Sequence, residues 1–326
     1  MTTLPIRTIA LEEHFLAESF VHEELDPAWS ADDLPLDQLR EVGPSRIAAM
    51  DAGRVDVQVV SHTVLEPEPT GAEWVRRARD ANDQLAAAIA EHPHRFAGFA
   101  TLPLGDPGQA ADELERAVRS LGLKGALVNG TAHGRFLDDA RFAPVLERAV
   151  ALEVPLYLHP GPPPRAVVEA YFSGFDPPVS YALATTAWGW HSEAAIHALR
   201  LVVSGLFDRL PGLQVIIGHM GEMIPAMMWR IDTWLAPRTK HLELTPTEYL
   251  RRNFHITTSG VFDPAAFLVA LQTWGADRIM FAVDYPYSPI EQAREFLDGL
   301  PLNPADKAKI AHLNAERLLG LAAVSA

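Results

Sequence analysis

Residues 8–15 read TIALEEHF, and the fold turns on how this stretch is interpreted. Ile6, Ile9 and Leu11 mark a short apolar strand that ends in Glu12, Glu13 and His14. Side chains alternate along a strand, so Glu12 and His14 share one face and Glu13 takes the other. A carboxylate beside an imidazole at a strand end can grip one metal ion. A strand running into a polar loop would look the same, so the later strands have to decide.

Working outward, the chain repeats the pattern. Short apolar runs at residues 55–60, 96–102, 124–128, 154–158, 213–217, 254–258 and 278–283 are predicted strands. Between them, helical spacing is predicted over 45–52, 72–92, 106–121, 139–152, 193–207, 220–235 and 264–274, with closing helices at 290–297 and 304–319. A polar, acidic loop is expected up to about residue 40. A proline-rich excursion over 161–180 carries Tyr171, Phe172 and Phe175, and a long irregular insertion of this kind is expected to wall a site. Eight strands alternating with helices predict an α/β protein, a single (β/α)8 TIM-type barrel over residues 1–326 with an inserted loop region after strand five and extra C-terminal helices. Runs such as LYL and VII are apolar without alternation because parallel barrel strands are buried on both faces.

At 326 residues and 48% hydrophobic content the chain can bury one large core. Its net charge of −15 argues against nucleic acid or an anionic membrane as partner. There is no cysteine, so a metal would be held by His, Asp and Glu. The start MTTLPIRT has no apolar run behind basic residues and is not expected to be a signal peptide. No stretch reaches the roughly 18 apolar residues of a membrane span. A cytoplasmic location is expected.

Barrel enzymes carry their chemistry at the C-terminal ends of the strands. Here those ends present Glu12 and His14, His62, His159, His219 and Asp284. Several metal-competent groups meeting at one mouth is hard to obtain by chance, although each histidine alone reads more simply as a core or capping residue. His22, His92, His94, His133, His197, His241, His255 and His312 keep that simpler reading, while His191, after Trp188 and Trp190, is a candidate for the mouth. Two carboxylates and two imidazoles suit Zn or Mn, and ligand type does not choose between them.

The motifs ALEEHF, LYLHP, VIIGHMGE and FAVDYP, in this order on strands one, five, six and eight, resemble the amidohydrolase superfamily. The resemblance runs over nearly the whole chain and includes HALRLVVSGLFDRLPGLQVIIGHMGE and MMWRID. It is strongest to the metal-dependent decarboxylases typified by γ-resorcylate decarboxylase and aminocarboxymuconate-semialdehyde decarboxylase. Glu-x-His in place of His-x-His points to the hydroxybenzoate branch. No lysine ends strand four to bridge two metals, so the resemblance implies one divalent ion. It makes Glu12, His14, His159 and Asp284 the ligands, His219 the catalytic histidine, and Glu222 the carboxylate that fixes the tautomer of His219. Glu222 also fits a simpler role as an acid in a helix's first turn.

The activity so implied is non-oxidative decarboxylation of a hydroxylated aromatic acid such as 2,6- or 2,3-dihydroxybenzoate, with carboxylate and ortho-hydroxyl chelated and Asp284 protonating the ring carbon. The alternative is a hydrolase of the same fold acting on an amide, lactone or C–C bond through activated water. A metal-binding scaffold without catalysis is a third reading, and the full set of expected side chains at four strand ends argues against it. Phe15, Phe172, Phe175, Trp188, Trp190, Tyr285 and Tyr287 are candidates for stacking on an aromatic acid, with Asn129 and Arg165 for polar contact. His62 departs from the branch and suggests an extra polar substituent on the substrate. The apolar helix MIPAMMWRIDTWL over 223–235 is expected either to cover a partner subunit, giving a homodimer or homotetramer, or to pack under the C-terminal helices.

Overall fold

The computed structural model describes residues 6–20, 34–63 and 71–322. His22 and part of the acidic loop before residue 40 lie outside the described residues. The strands are β1 (Ile9–Phe15), β2 (Val57–His62), β3 (Phe96–Gly98), β4 (Ala100–Thr101), β5 (Ala126–Asn129), β6 (Leu156–His159), β7 (Val215–Ile217), β8 (Phe254–Thr257) and β9 (Ile279–Met280). All pair in parallel with their neighbours in order, β1 to β3 and β4 to β9. β3 and β4 are one barrel position divided at Phe99. The Phe99 N–H donates to Val60 O, and the next N–H, of Ala100, donates to Gly125 O on the other side. The ring closes where Leu11 bridges Ala282 and its N–H donates to Phe281 O at 3.2 Å. This is the expected eight-position barrel, ringed by helices such as Gly71–Glu91, Gly189–Val203 and Pro264–Trp274.

Two buried layers follow from strand alternation. Ile9, Leu11, Val57, Val59, Phe99, Leu127, Tyr157, Ile216, Met280 and Ala282 fill the barrel, and Ala315 and Leu319 of the last helix join them. Ala10, Phe15, Val60, Val128, Leu158, Ile217, Ile256 and Val283 face outward against the helices. β1 breaks the alternation once. Ala10 pairs with Gln58 and Glu13 with Val60, so three steps on β1 match two on β2. The extra residue is a bulge, with Glu12 at φ 63°. Strict alternation from Leu11 would have turned Glu12 and His14 outward. The bulge turns both into the barrel and leaves Glu13 and Phe15 outside.

Several expected elements differ. The excursion over 161–180 is largely helical, with turns at Arg165–Val167 and Val168–Phe172 and a helix Pro177–Ala184 that opens on two prolines. The helix expected over 220–235 begins only at Ile224. His219, Met220, Glu222 and Met223 all have positive φ, which ordinary helix does not allow. The helix expected over 193–207 starts at Gly189, ends at Val203 and resumes as Leu206–Arg209 after left-handed Gly205. The strand expected over 278–283 is regular only at Ile279–Met280, and the closing helix is interrupted by a π-helical turn, Lys309–Leu313. Among the described residues no helix is long and apolar enough to cross a membrane.

Candidate metal centre and active site

Inward parity carries four strand ends to one place. Glu12 and His14 end β1 and His159 ends β6. Asp284 follows the alternation of Met280 and Ala282 beyond β9. One ligand atom from each of these four lies within 4.8 Å of all the others. His14 Nε2 is 3.1 Å from Asp284 Oδ1, and His159 Nε2 is 3.4 Å from Glu12 Oε1. Glu12 Oε1 and His14 Nε2 are buried and make no hydrogen bond. Buried polar atoms left in this state cost about 1–3 kcal/mol each, and a cation among them would satisfy both. The donor set therefore fits a divalent ion.

The other sides of these ligands are held. Glu12 Oε2 accepts from Tyr157 and Ser259, and from Thr257 at 3.3 Å. Burial raises the Glu12 carboxyl above its usual range, a tendency opposed by the charge of His219. His159 Nδ1 bonds Pro160 O at 2.8 Å, which fixes that proton and leaves Nε2 as the free lone pair. Burial, with His14 and His219 nearby, lowers the His159 pKa to about 3, so the ring stays neutral as a ligand must. Gly218 admits the carboxylate, since a Cβ there would sit 2.5 Å from Glu12 Oε2.

His219 stands beside the quartet on its strained turn. Its Nδ1–H donates to Glu222 Oε1 at 2.9 Å, and its Nε2 lies 3.6 Å from Asp284 Oδ2. Its N–H is held by Ser259 Oγ at 2.9 Å. Burial opposes the charged imidazole, but Glu12 and Glu222 outweigh it and raise the His219 pKa well above its usual value. Burial likewise works against the Asp284 carboxylate, and His14 and His219 overcome it and hold the group below the usual range. Glu222 also accepts from His191 Nδ1 at 2.7 Å. Glu222, His191 and His219 could in principle ligate an ion, yet their facing atoms already bond one another.

Above the centre opens a cavity of about 1110 Å³. Asn129, Trp188, Trp190, His191 and Tyr287 line it, together with His159, His219, Glu222 and Asp284. Tyr287 is tied to Thr63 through their hydroxyls at 3.2 Å. No lysine or arginine is among the described residues lining the cavity.

Other expected site residues lie elsewhere. His62 has the outward parity of Val60 and sits between Phe15 and Phe20, with ring centroids 5.5 and 4.3 Å away. Burial, with His14 nearby, lowers its pKa to about 3, so it is a neutral packing residue and gives no reason to expect a substrate substituent. Phe15 faces outward with it. The Arg165 side chain is 92% exposed and pairs with Glu169. Tyr285 takes the outward parity after Asp284 and lies beneath the Arg46 guanidinium, 4.9 Å from its ring centroid. Phe172 is buried away from the cavity, and Phe175 is exposed.

Tyr157, Ser259, Glu13 and Arg46 were not anticipated. Glu13 accepts from the N–H groups of Val283 (2.9 Å) and Tyr285 (3.3 Å), and so clasps the turn that presents Asp284. Burial raises its pKa to about 8. Tyr157 was legible as the residue two before His159 on one strand face; Ser259 and Arg46 carried no sequence signal.

Comparison with known proteins agrees with this geometry. A family model described as amidohydrolase matches residues 14–321. The chain belongs to the amidohydrolase family. It is 37% identical to the γ-resorcylate decarboxylase of Polaromonas sp. (strain JS666) over 96% of this chain and 98% of that one. A crystal structure of 2,6-dihydroxybenzoate decarboxylase complexed with 2,6-dihydroxybenzoate superposes with a TM-score of 0.89 at 36% identity, covering 97% of this chain and all of the other. The dihydroxybenzoic acid decarboxylase of Polaromonas sp. JS666, with manganese and the inhibitor 2-nitroresorcinol, gives 0.88 at 37%, covering 97% and 98%.

Proposed function

We propose that this amidohydrolase family member is a metal-dependent, non-oxidative decarboxylase of a hydroxylated aromatic acid of the 2,6- or 2,3-dihydroxybenzoate kind. The observation that carries the reading is the quartet of Glu12, His14, His159 and Asp284, its first two members buried with ligand atoms unmet, beneath a cavity that among the described residues offers no lysine or arginine to an acid. The similarity to decarboxylases that hold manganese or 2,6-dihydroxybenzoate supports it. Manganese, held by one of these similar structures, is the proposed ion, and zinc suits the same ligand types.

Glu12, His14, His159 and Asp284 would hold the ion. When bound, it supplies the positive charge that gathers the substrate's carboxylate and ortho-oxygen and favours the phenolate. His219, cationic and fixed by Glu222, faces the same side of the cavity and hydrogen-bonds the substrate's oxygens. Trp188, Trp190 and Tyr287 wall the ring, and Asn129 offers a polar contact. Direct loss of CO2 would leave an aryl anion, so the ring carbon has to be protonated first. Asp284, ionised at rest, takes the proton given up by the ortho-hydroxyl and returns it from a carboxyl oxygen to the carbon that bears the carboxylate. The C–C bond then breaks, its electron pair restores the aromatic ring, and CO2 departs.

The test is incubation of manganese-loaded protein with 2,6- and 2,3-dihydroxybenzoate, with detection of CO2 and the matching phenol. Turnover of an amide or lactone with none of either acid would replace the reading with the hydrolytic one. The chain is further proposed to act as one cytoplasmic domain that associates with copies of itself. The helix Ile224–Leu235 packs on Pro246–Asn253 and Pro264–Trp274 and leaves Met227, Trp229 and Trp234 exposed, which favours a partner subunit over cover from the C-terminal helices.

A further inference from the structure

At the opposite end of the barrel, where the strands begin, a second concavity of about 440 Å³ is lined by Gln214, His255, Asp277, Arg278, Arg317 and Leu318. Gln214 precedes β7, His255 is the second residue of β8, Arg278 precedes β9, and Arg317 lies on the last helix, Asn314–Leu319. We infer that this floor is a binding site for a small tetrahedral oxyanion, either inorganic phosphate or the phosphoryl group of a small metabolite.

Unmatched positive charge is the first argument. Arg278 Nη1 donates to Gln214 Oε1 at 3.1 Å and to His255 Nε2 at 2.9 Å. Arg317 Nη2 donates to Asp277 O and to Asn314 Oδ1, both at 2.9 Å. Among the described residues neither guanidinium has a carboxylate partner. The two nearby acids are engaged elsewhere, Asp277 with Lys309 at 2.9 Å and Glu316 with Arg7 at 2.6 Å. Two arginines converge here on a protein whose net charge is −15. Burial and the charge of Arg317 work against the Arg278 cation and outweigh the favourable charge of Asp277, a cost that an anion between the two arginines would reduce.

The second argument is an unmade hydrogen bond. A guanidinium only donates, so His255 Nε2 accepts and the imidazole proton sits on Nδ1. That Nδ1 is buried, on a residue 3% exposed, and bonds nothing. Guanidinium forks, an amide and an imidazole N–H are the donor types that surround oxyanions. The site would act on the fold and leave the chemistry alone. Asn314 already ties the last helix to Ala276 O and Ile279 O at 2.7 and 2.8 Å, and a shared anion would tie it again through Arg317.

Titration calorimetry on the full metal-loaded chain, with inorganic phosphate and with glycerol 3-phosphate in chloride of matched ionic strength, tests the inference. Saturable binding is expected, with a melting temperature that rises with ligand concentration. Tighter binding of inorganic phosphate would assign the free ion, and tighter binding of the ester a metabolite. Arg317→Gln, at an exposed side chain, should melt within about 2 °C of the parent without ligand and lose at least about tenfold in affinity. Arg278→Gln should lose as much. Absence of saturable binding by the parent to either ligand, or unchanged affinity in both variants, would overturn the site.

Discussion

Single residues divide the candidate centre into atoms that would touch an ion and atoms that hold those in place. Tyr157 belongs to the second kind, because it bonds the oxygen of Glu12 that faces away from the quartet. Tyr157→Phe should weaken manganese binding about 10–100-fold, as loss of such outer partners does; metal titration followed by elemental analysis checks this, and unchanged affinity would remove Tyr157 from the centre. Glu222 holds both His219 and His191 and touches none of the four ligand atoms. Glu222→Gln keeps the shape but removes the charge that favours imidazolium, so kcat should fall about 10–100-fold with metal content unchanged. Arg165→Ala, at a side chain in water, should alter stability by no more than about 0.5 kcal/mol and leave KM where it was. Sequence placed Glu12, His14, His159, His219 and Asp284 at strand ends because motif and strand ending coincide there. It misplaced His62, Phe15 and Tyr285 because one step along a strand reverses the face.

At the level of elements, the site depends on strand ends pushed out of regular geometry. Glu12, His219 and Asp284 all have positive φ, and non-glycine residues so held cost on the order of 1–3 kcal/mol each. Gly218 makes the crowding at β7 tolerable. Gly218→Ala should destabilise the protein by about 1–3 kcal/mol through overpacking and weaken metal binding too, since the added methyl meets Glu12; a variant with unchanged metal affinity would show that Glu12 has room to move. The helix Gly189–Val203 is tied to the loop after β5 by His197, whose Nε2 accepts from Leu137 N–H at 2.8 Å. Burial lowers its pKa to about 4. Above pH 6.5 both folded and unfolded chains hold it neutral. Between 6.5 and 4 only the unfolded chain takes the proton, so stability falls with pH by up to about 3 kcal/mol from this group. Melts of the parent and His197→Gln at pH 7 and pH 4.5 should therefore differ less at the lower pH. An equal gap at both would mean that His197 is not the sensor.

For the whole molecule, the exposed Met227, Trp229 and Trp234 stand on the helix that follows the His219 turn. Trp229 alone is 76% exposed, and apolar patches of this kind mark interfaces. Light scattering should give twice or four times the 35.7 kDa of one chain, and a monomer would refute the association. Local sequence was enough for the alternation of eight strands with helices and for the residues that end the strands. Both are local patterns, and burial of parallel strands on two faces writes them directly into composition. Only the tertiary structure decided which of those residues look inward. A one-residue bulge, a left-handed turn or a proline-started helix in an insertion depends on contacts between segments hundreds of residues apart, such as Glu12 with Ser259 and Glu13 with Val283, and such contacts leave no local pattern.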